Sequence, residues 1–316
     1  MGAFVPHRTQ ESPLALQLDG NPAATHPIPV VEVAVVIPAY NEAEGVGPIV
    51  SRVRAALADT TFTFDVVVVD DGSTDETSLK AESHGAHVIR LQENGGYGAA
   101  LKAGIAATRS EYVAITDADG TYPPEFIPRL MELAHTEDMV VGSRAMTDVS
   151  IPMIRRPAKM FLSALASYLS GRRIPDLNSG LRVMRRSTLM QFIQLLPSGF
   201  SFTTTITLAM LCTGCRVRYI PVACSPRVGS SKIRASDFTD FLVLVIRTVV
   251  LFNPLKVFLP LGTVLFFLGA AKFVYDVFLW NLSESAVMAI LAAIIVWSVG
   301  LLADMIGRLQ LSSRPR

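Results

Sequence analysis

Between residues 31 and 116, apolar residues fall in short, nearly unbroken runs: VEVAVVIP from Val31, FDVVVVD from Phe64, HVIRL from His87 and YVAIT from Tyr112. Helical patterns fill the gaps. One spans about 44–58, a second is opened by Ser73 or Thr74 as N-cap, a third covers about 97–108, and a fourth follows Pro123-Pro124. Val/Ile runs without polar alternation predict strands buried on both faces, so the pattern is that of an α/β chain with a mostly parallel sheet covered by helices. Such sheets take ligands beyond the carboxyl ends of their strands. A further strand is expected at 216–222.

The pattern changes after about residue 240. Residues 257–278 are apolar apart from Lys272 and Asp276, and 285–303 carry no charge. Each run is near the ~20 residues that a bilayer core requires, and both are apolar on every side, which predicts a transmembrane hairpin rather than core helices. Arg247 and Lys256 before the first span, and Arg308, Arg314 and Arg316 after the second, place both ends in the cytosol. Two apolar-faced helices precede the hairpin. One, at 152–171, carries Arg155, Arg156 and Lys159 and reads equally as a helix on a membrane surface or one packed in a core; the other spans 235–252. Residues 1–30 mix Pro, Gly and polar residues without period, as in a mobile tail, and hold no apolar stretch long enough for a signal peptide.

Three predicted strands end in polar residues: Pro38-Ala39-Tyr40-Asn41-Glu42, Asp70-Asp71-Gly72-Ser73, and Asp117-Ala118-Asp119. In isolation each is ordinary turn chemistry. On an extended backbone, however, Asp117 and Asp119 would face the same way, and two such carboxylates repel unless a cation sits between them; hard divalent ions such as Mg²⁺ or Mn²⁺ favour these ligands. No G-x-G-x-x-G follows the first strand, which disfavours a dinucleotide fold. Gly142-Ser143-Arg144 ends another apolar run with a fork-shaped cation, and the loop Arg227-Val228-Gly229-Ser230-Ser231-Lys232 can fold over phosphates.

Composition narrows the function classes. A formal net charge of +1 over 316 residues, with no dense basic patch, argues against nucleic acid as a partner. Three cysteines make no disulfide framework, and Cys212-x-x-Cys215 has no second pair to complete a zinc site. The five histidines are scattered.

VVIPAYNE, VVVVDDGSTDET, ENGGYGAALKAG and ITDADGTYPPE, in this order, resemble the family 2 glycosyltransferases with a GT-A fold. The resemblance implies a GT-A domain over 31–234, an interface helix at 235–253 and a hairpin over 254–316. It also implies a nucleotide-diphosphate sugar donor, with Pro38, Tyr40, Glu42, Asp70 and Asp71 around the nucleotide and Asp117 and Asp119 on Mg²⁺ or Mn²⁺ at the diphosphate. The second half, with Gly-Ser-Arg, Asp176-Leu177-Asn178-Ser179-Gly180-Leu181-Arg182 and paired C-terminal spans, is similar to the polyprenyl-phosphate glycosyltransferases, the dolichol-phosphate mannose synthase group. It departs where that group commonly has Leu-Gln after the D-x-D; here Gly120-Thr121 follow.

The expectation is an inverting membrane enzyme that moves one hexose, UDP-glucose favoured slightly over GDP-mannose, to a polyprenyl or dolichyl phosphate at the cytosolic face of a prokaryotic plasma membrane or its equivalent. A homo-oligomer is compatible with it. Asp119, Arg144, Arg227 and Lys232 are the expected catalytic groups, and Arg155, Arg156 and Ser231 the acceptor-phosphate contacts. A phosphate monoester is already largely ionised at pH 7, so no protein base is required. The alternatives are a membrane-tethered family member acting on a glycan or glycolipid hydroxyl, which needs a base, and a catalytically silent sugar-nucleotide sensor.

Overall fold

The structure is a computed structural model that describes residues 29–144, 164–168, 170–223, 243, 246–280 and 283–312. Seven strands form one sheet in the order β3-β2-β1-β4-β6-β5-β7. They are β1 (Val33–Ala39), β2 (Phe64–Asp70), β3 (His87–Arg90), β4 (Tyr112–Ile115), β5 (Met139–Ser143), β6 (Arg182–Arg185) and β7 (Val217–Pro221). All pairs are parallel except those of β6, which runs against both β4 and β5. Four helices alternate with the first strands: α1 (Val46–Ala58), α2 (Thr77–Ser83), α3 (Tyr97–Ala107) and α4 (Ile127–Ala134).

The sheet has a core on each face. Val33, Val35 and Ile37 pack with Ile49, Val50 and Val53 of α1 and with Leu130 and Met131 of α4. On the other side Val36, Val67 and Val69 meet Leu101 and Ile105 of α3 and Phe202, Ile206 and Met210 of the helix Phe202–Cys212. Since both faces are covered, the strands needed no polar alternation, and every residue of β1 is buried.

Helix α2 starts later than its sequence suggests. Glu76, not Ser73 or Thr74, occupies the N-cap position. The two hydroxyl residues are used instead to lace the loop after β2 to the loop after β1. The Asn41 N–H donates to Ser73 Oγ, and the Thr74 N–H to Asn41 Oδ1, both at 2.9 Å. Local capping preference lost to a contact between loops 32 residues apart.

Beyond the sheet, residues 246–252 are helical and dock on the domain. Val249 is buried with Ala166, Ile174, Leu177, Leu208 and Leu211, and Phe252 meets Phe192 edge to face at 5.9 Å. Ala166 is buried there and Tyr168 is exposed, while Arg155, Arg156 and Lys159 of the expected helix at 152–171 lie outside the described residues. Two antiparallel-paired long helices follow, Leu255–Phe278 and Glu284–Ser312, each long and apolar enough to cross a membrane. Small residues let them approach closely: a Cβ at Gly262 would lie 2.4 Å from the Trp297 ring. At their turn, Asp276 accepts from Lys272 and from the Ser283 hydroxyl.

Candidate active site

The chain turns from β1 to β2 on one side and to β4 on the other, so the crevice between the carboxyl ends of β1 and β4 is the switch point where an open sheet binds ligands. Strand β4 is the shorter partner. Its last residue, Ile115, pairs with Val36, and the Val36 carbonyl accepts from the Thr116 N–H at 3.4 Å. Pro38, two residues on, faces the same side, where β4 has ended, so its missing N–H costs no ladder bond. Proline is tolerated in this central strand because the crevice opens there.

Three loops converge on the crevice. From the first, Tyr40 is 47% exposed and Glu42 is half-buried, and a Cβ at Gly45 would lie 2.7 Å from the Ala118 carbonyl of the β4 loop. From the second come Asp70 and Asp71, only 2% and 3% exposed. Asp70 accepts from the Ser73 N–H at 2.9 Å and from the Ser78 hydroxyl, so here it braces the turn. Asp71 accepts the Gly95 and Gly96 N–H groups at 2.9 and 2.8 Å, which holds the start of α3 beside the loop.

The third loop carries Asp117 and Asp119, and the extended arrangement expected of them does not hold. The strand stops at Ile115, and residues 118 and 119 lie in a turn. Asp119 Oδ1 accepts the Thr121 N–H at 2.9 Å, a side-chain turn that competes with continuation of the strand. Both carboxylates are half-buried. Asp117 Oδ1 accepts from the Tyr97 hydroxyl at 2.9 Å, and a Cβ at Gly180 would sit 2.2 Å from Asp117 Oδ2. Burial holds the Tyr97 hydroxyl well above its ordinary pKa, and the Asp117 carboxylate adds to the shift, so the phenol keeps its proton and donates it.

Asp117 and Asp119 are oxygen ligands of the kind a hard divalent cation takes. Among the described residues no group of three or more His, Cys, Asp and Glu side chains converges. Mg²⁺ is characteristically bound through one or two carboxylates, with phosphate oxygens and water completing its shell. Thr121 Oγ1, two residues after Asp119, is buried and has no hydrogen-bond partner among the described residues.

Arg144 stands beside the same loop. Its guanidinium lies over the Tyr122 ring, 5.3 Å from the centroid, and its Nε is 3.3 Å from Asp176 Oδ2. The Arg144 N–H also donates to that oxygen, at 3.2 Å, and Nη2 to the Asn178 carbonyl at 3.4 Å. Arg144 is thus a held cation, and buried Asp176 is what holds it. In the sequence Asp176 stands out only as the first residue of its block; the pairing with Arg144 gives it its role. Arg227, Ser231 and Lys232, like Arg155 and Arg156, lie outside the described residues.

The block that supplies Asp176 and Gly180 ends in Arg182, 0% exposed. Its Nε and Nη2 donate to the Ser179 carbonyl, the latter at 2.6 Å, and Nη1 donates to the Thr203 carbonyl and Thr207 Oγ1 at 3.1 and 3.0 Å. Burial lowers its pKa, but these acceptors satisfy the guanidinium and tie the block to the helix Phe202–Cys212. Arg182→Ala would leave a cavity and unpaired carbonyls, an expected cost of about 3 kcal/mol or more. A melting temperature equal to that of the wild type would contradict this. Cys212 and Cys215 are both unpaired, and burial pushes the Cys212 thiol up to about 11, as suits an inert group.

The family model of glycosyl transferase family 2 matches residues 34–192, about half of the chain and all of the crevice-forming loops. The chain is a family 2 glycosyltransferase. A second model, the GtrB C-terminal hairpin, matches residues 253–309, so the paired long helices of this glycosyltransferase are that hairpin. The dolichyl-phosphate hexose transferase of Haloferax volcanii is 32% identical over 207 residues, 64% of this chain and 86% of the relative. The undecaprenyl-phosphate mannosyltransferase of Micrococcus luteus is 30% identical over 231 residues, 69% of this chain and 93% of the relative. Among solved structures, glucosyl-3-phosphoglycerate synthase from Mycobacterium tuberculosis, in complex with Mn²⁺, uridine diphosphate and phosphoglyceric acid, superposes with a TM-score of 0.55. At 20% identity, covering 69% of this chain and 78% of that one, it shows a common fold.

Proposed function

We propose that this glycosyltransferase moves one hexose from a nucleotide-diphosphate sugar to a polyprenyl phosphate at the cytosolic face of a membrane. One observation carries the reading: the crevice at the carboxyl ends of β1 and β4 sits on a domain whose chain continues, through the packing of Val249 and Phe252, into a hairpin able to cross a bilayer. An acceptor anchored in the membrane suits that arrangement. The relatives named for polyprenyl-phosphate transfer support it.

In this reading Pro38, Tyr40, Glu42 and Asp71 line the nucleotide side, Asp70 braces their loop, and Asp117 and Asp119 hold Mg²⁺ or Mn²⁺. The cation, when bound, supplies positive charge to the departing diphosphate. A phosphate oxygen of the lipid attacks the anomeric carbon; the new C–O bond forms as the bond to the β-phosphate oxygen breaks, and the nucleoside diphosphate leaves with the electron pair, so the configuration inverts. Arg144, kept in place by Asp176 and Tyr122, offsets the mutual repulsion of two anionic substrates. Arg227 and Lys232 are assigned with Arg144 to that catalytic role, and Arg155, Arg156 and Ser231 to the acceptor phosphate. UDP-glucose is favoured over GDP-mannose on the resemblance around DADGTYPP.

The test compares polyprenyl phosphate with polyprenol as acceptor. Transfer is expected to the phosphate alone, at a rate level above about pH 7 and falling below about pH 6 as the phosphate takes up its second proton. Equal transfer to polyprenol, or a rate that tracks a protein base above pH 7, would favour the hydroxyl acceptor instead.

A further inference from the structure

We propose that Tyr97 is a positioning residue for Asp117, fixing the direction in which that carboxylate meets the cation and the diphosphate. The inference rests on the reading of the D-x-D given above and extends it to a residue outside the loop. Tyr97 opens α3, twenty positions before Asp117 in the chain, and its hydroxyl reaches Asp117 Oδ1 at 2.9 Å. The ring is itself held. Phe200 stacks on it with centroids 5.6 Å apart and planes inclined by 22°. The Ala99 N–H donates to the Ser198 carbonyl at 2.9 Å, so the first turn of α3 is tied to the segment that carries Phe200.

The Asp117 carboxylate also abuts Gly180, whose backbone is anchored through Ser179 to Arg182. Two independent contacts therefore restrict its rotation. Neither would be needed for a carboxylate whose only task was to solvate a turn. Partners of this kind orient a ligating carboxylate, and their loss characteristically costs 10–100-fold in metal affinity. The Phe200 ring is 83% exposed, so it closes the outer side of Tyr97 without belonging to either core.

Tyr97→Phe isolates the hydroxyl, because it keeps the ring and the stack on Phe200. The measurement is calorimetric binding of UDP and of GDP as a function of Mn²⁺ concentration, on the full-length protein in detergent, alongside a thermal melt. Y97F is expected to melt like the wild type but to need at least about 10-fold more Mn²⁺ for half-maximal nucleotide binding. A purely structural tyrosine would shift the melt and leave the Mn²⁺ requirement unchanged. An equal Mn²⁺ requirement in the two proteins overturns the positioning role while leaving the functional reading intact. If the wild type binds neither nucleotide in an Mn²⁺-dependent way, the functional reading fails and this inference with it. Should Y97F not fold, Phe200→Ala takes its place: it keeps the hydroxyl but frees the ring, a smaller shift in the same direction is expected, and an unshifted titration overturns the proposal.

Discussion

Asp119→Asn is expected to lower transfer by about 10³-fold or more, with the protein still folded and still recovered in the membrane fraction. The size follows from charge. If Asp117 and Asp119 hold a divalent cation as proposed, neutralising one of them removes several kcal/mol of stabilisation from the departing diphosphate, and about 1.4 kcal/mol corresponds to each tenfold in rate. The fold should survive because the turn at Asp119 rests on Oδ1, which accepts the Thr121 N–H. An asparagine carbonyl can accept that same bond. The checks are initial rate, circular dichroism and partition into membranes; near-normal transfer would remove Asp119 from the mechanism.

Gly180→Ala should have the next largest effect, about 10²-fold in transfer. A Cβ there would lie 2.2 Å from Asp117 Oδ2 and 2.6 Å from Cγ, far inside contact distance. One side must move. Asp117 is held by Tyr97, and the backbone at 180 is held by its neighbours: Ser179 donates to the Gly142 carbonyl and accepts from buried Arg182. Displacement of a positioned group by about 1 Å can cost 10²-fold in rate, and overpacking adds about 1–3 kcal/mol of instability. Steady-state kinetics and a melt measured together separate the two. Full activity in G180A would mean that the Asp117 carboxylate need not stand where it does.

The parts of the fold legible in sequence were those with an unambiguous physical signature. β1 and β2 read as strands because burial on both faces turned them into Val/Ile runs, and the two long helices read as spans because they are apolar all round. β6 was not visible. It is four residues long, RVMR, with an arginine at each end and no Val/Ile run; only the fold shows that Thr203, Thr207 and Ser179 supply the partners of Arg182. The N-cap assigned to Ser73 or Thr74 failed for a related reason, since Asn41, far away in sequence, claims both residues.

The candidate site divides the same way. Residues at strand ends, such as Glu42 and Asp117, could be named from position alone, because parallel sheets place ligands there. The supporting contacts could not. Tyr97 and Asp176 both lie in blocks that carried only the family resemblance, and the bonds from Tyr97 to Asp117 and from Arg144 to Asp176 join residues 20 and 32 positions apart. The alternation argument for Asp117 and Asp119 failed because it assumed an extended backbone, whereas Asp119 turns the chain by capping Thr121.

The central claim is a metal-dependent transfer of one sugar to a lipid phosphate. Its most direct test offers the detergent-solubilised protein a panel of labelled UDP- and GDP-sugars with polyprenyl phosphate, in Mg²⁺, in Mn²⁺ and in chelator, and follows label into the organic phase. The account predicts a lipid-linked monosaccharide from one donor, formed with either cation and lost with chelator. Absence of lipid-linked product from every donor, in a protein that binds the nucleotides, would contradict it.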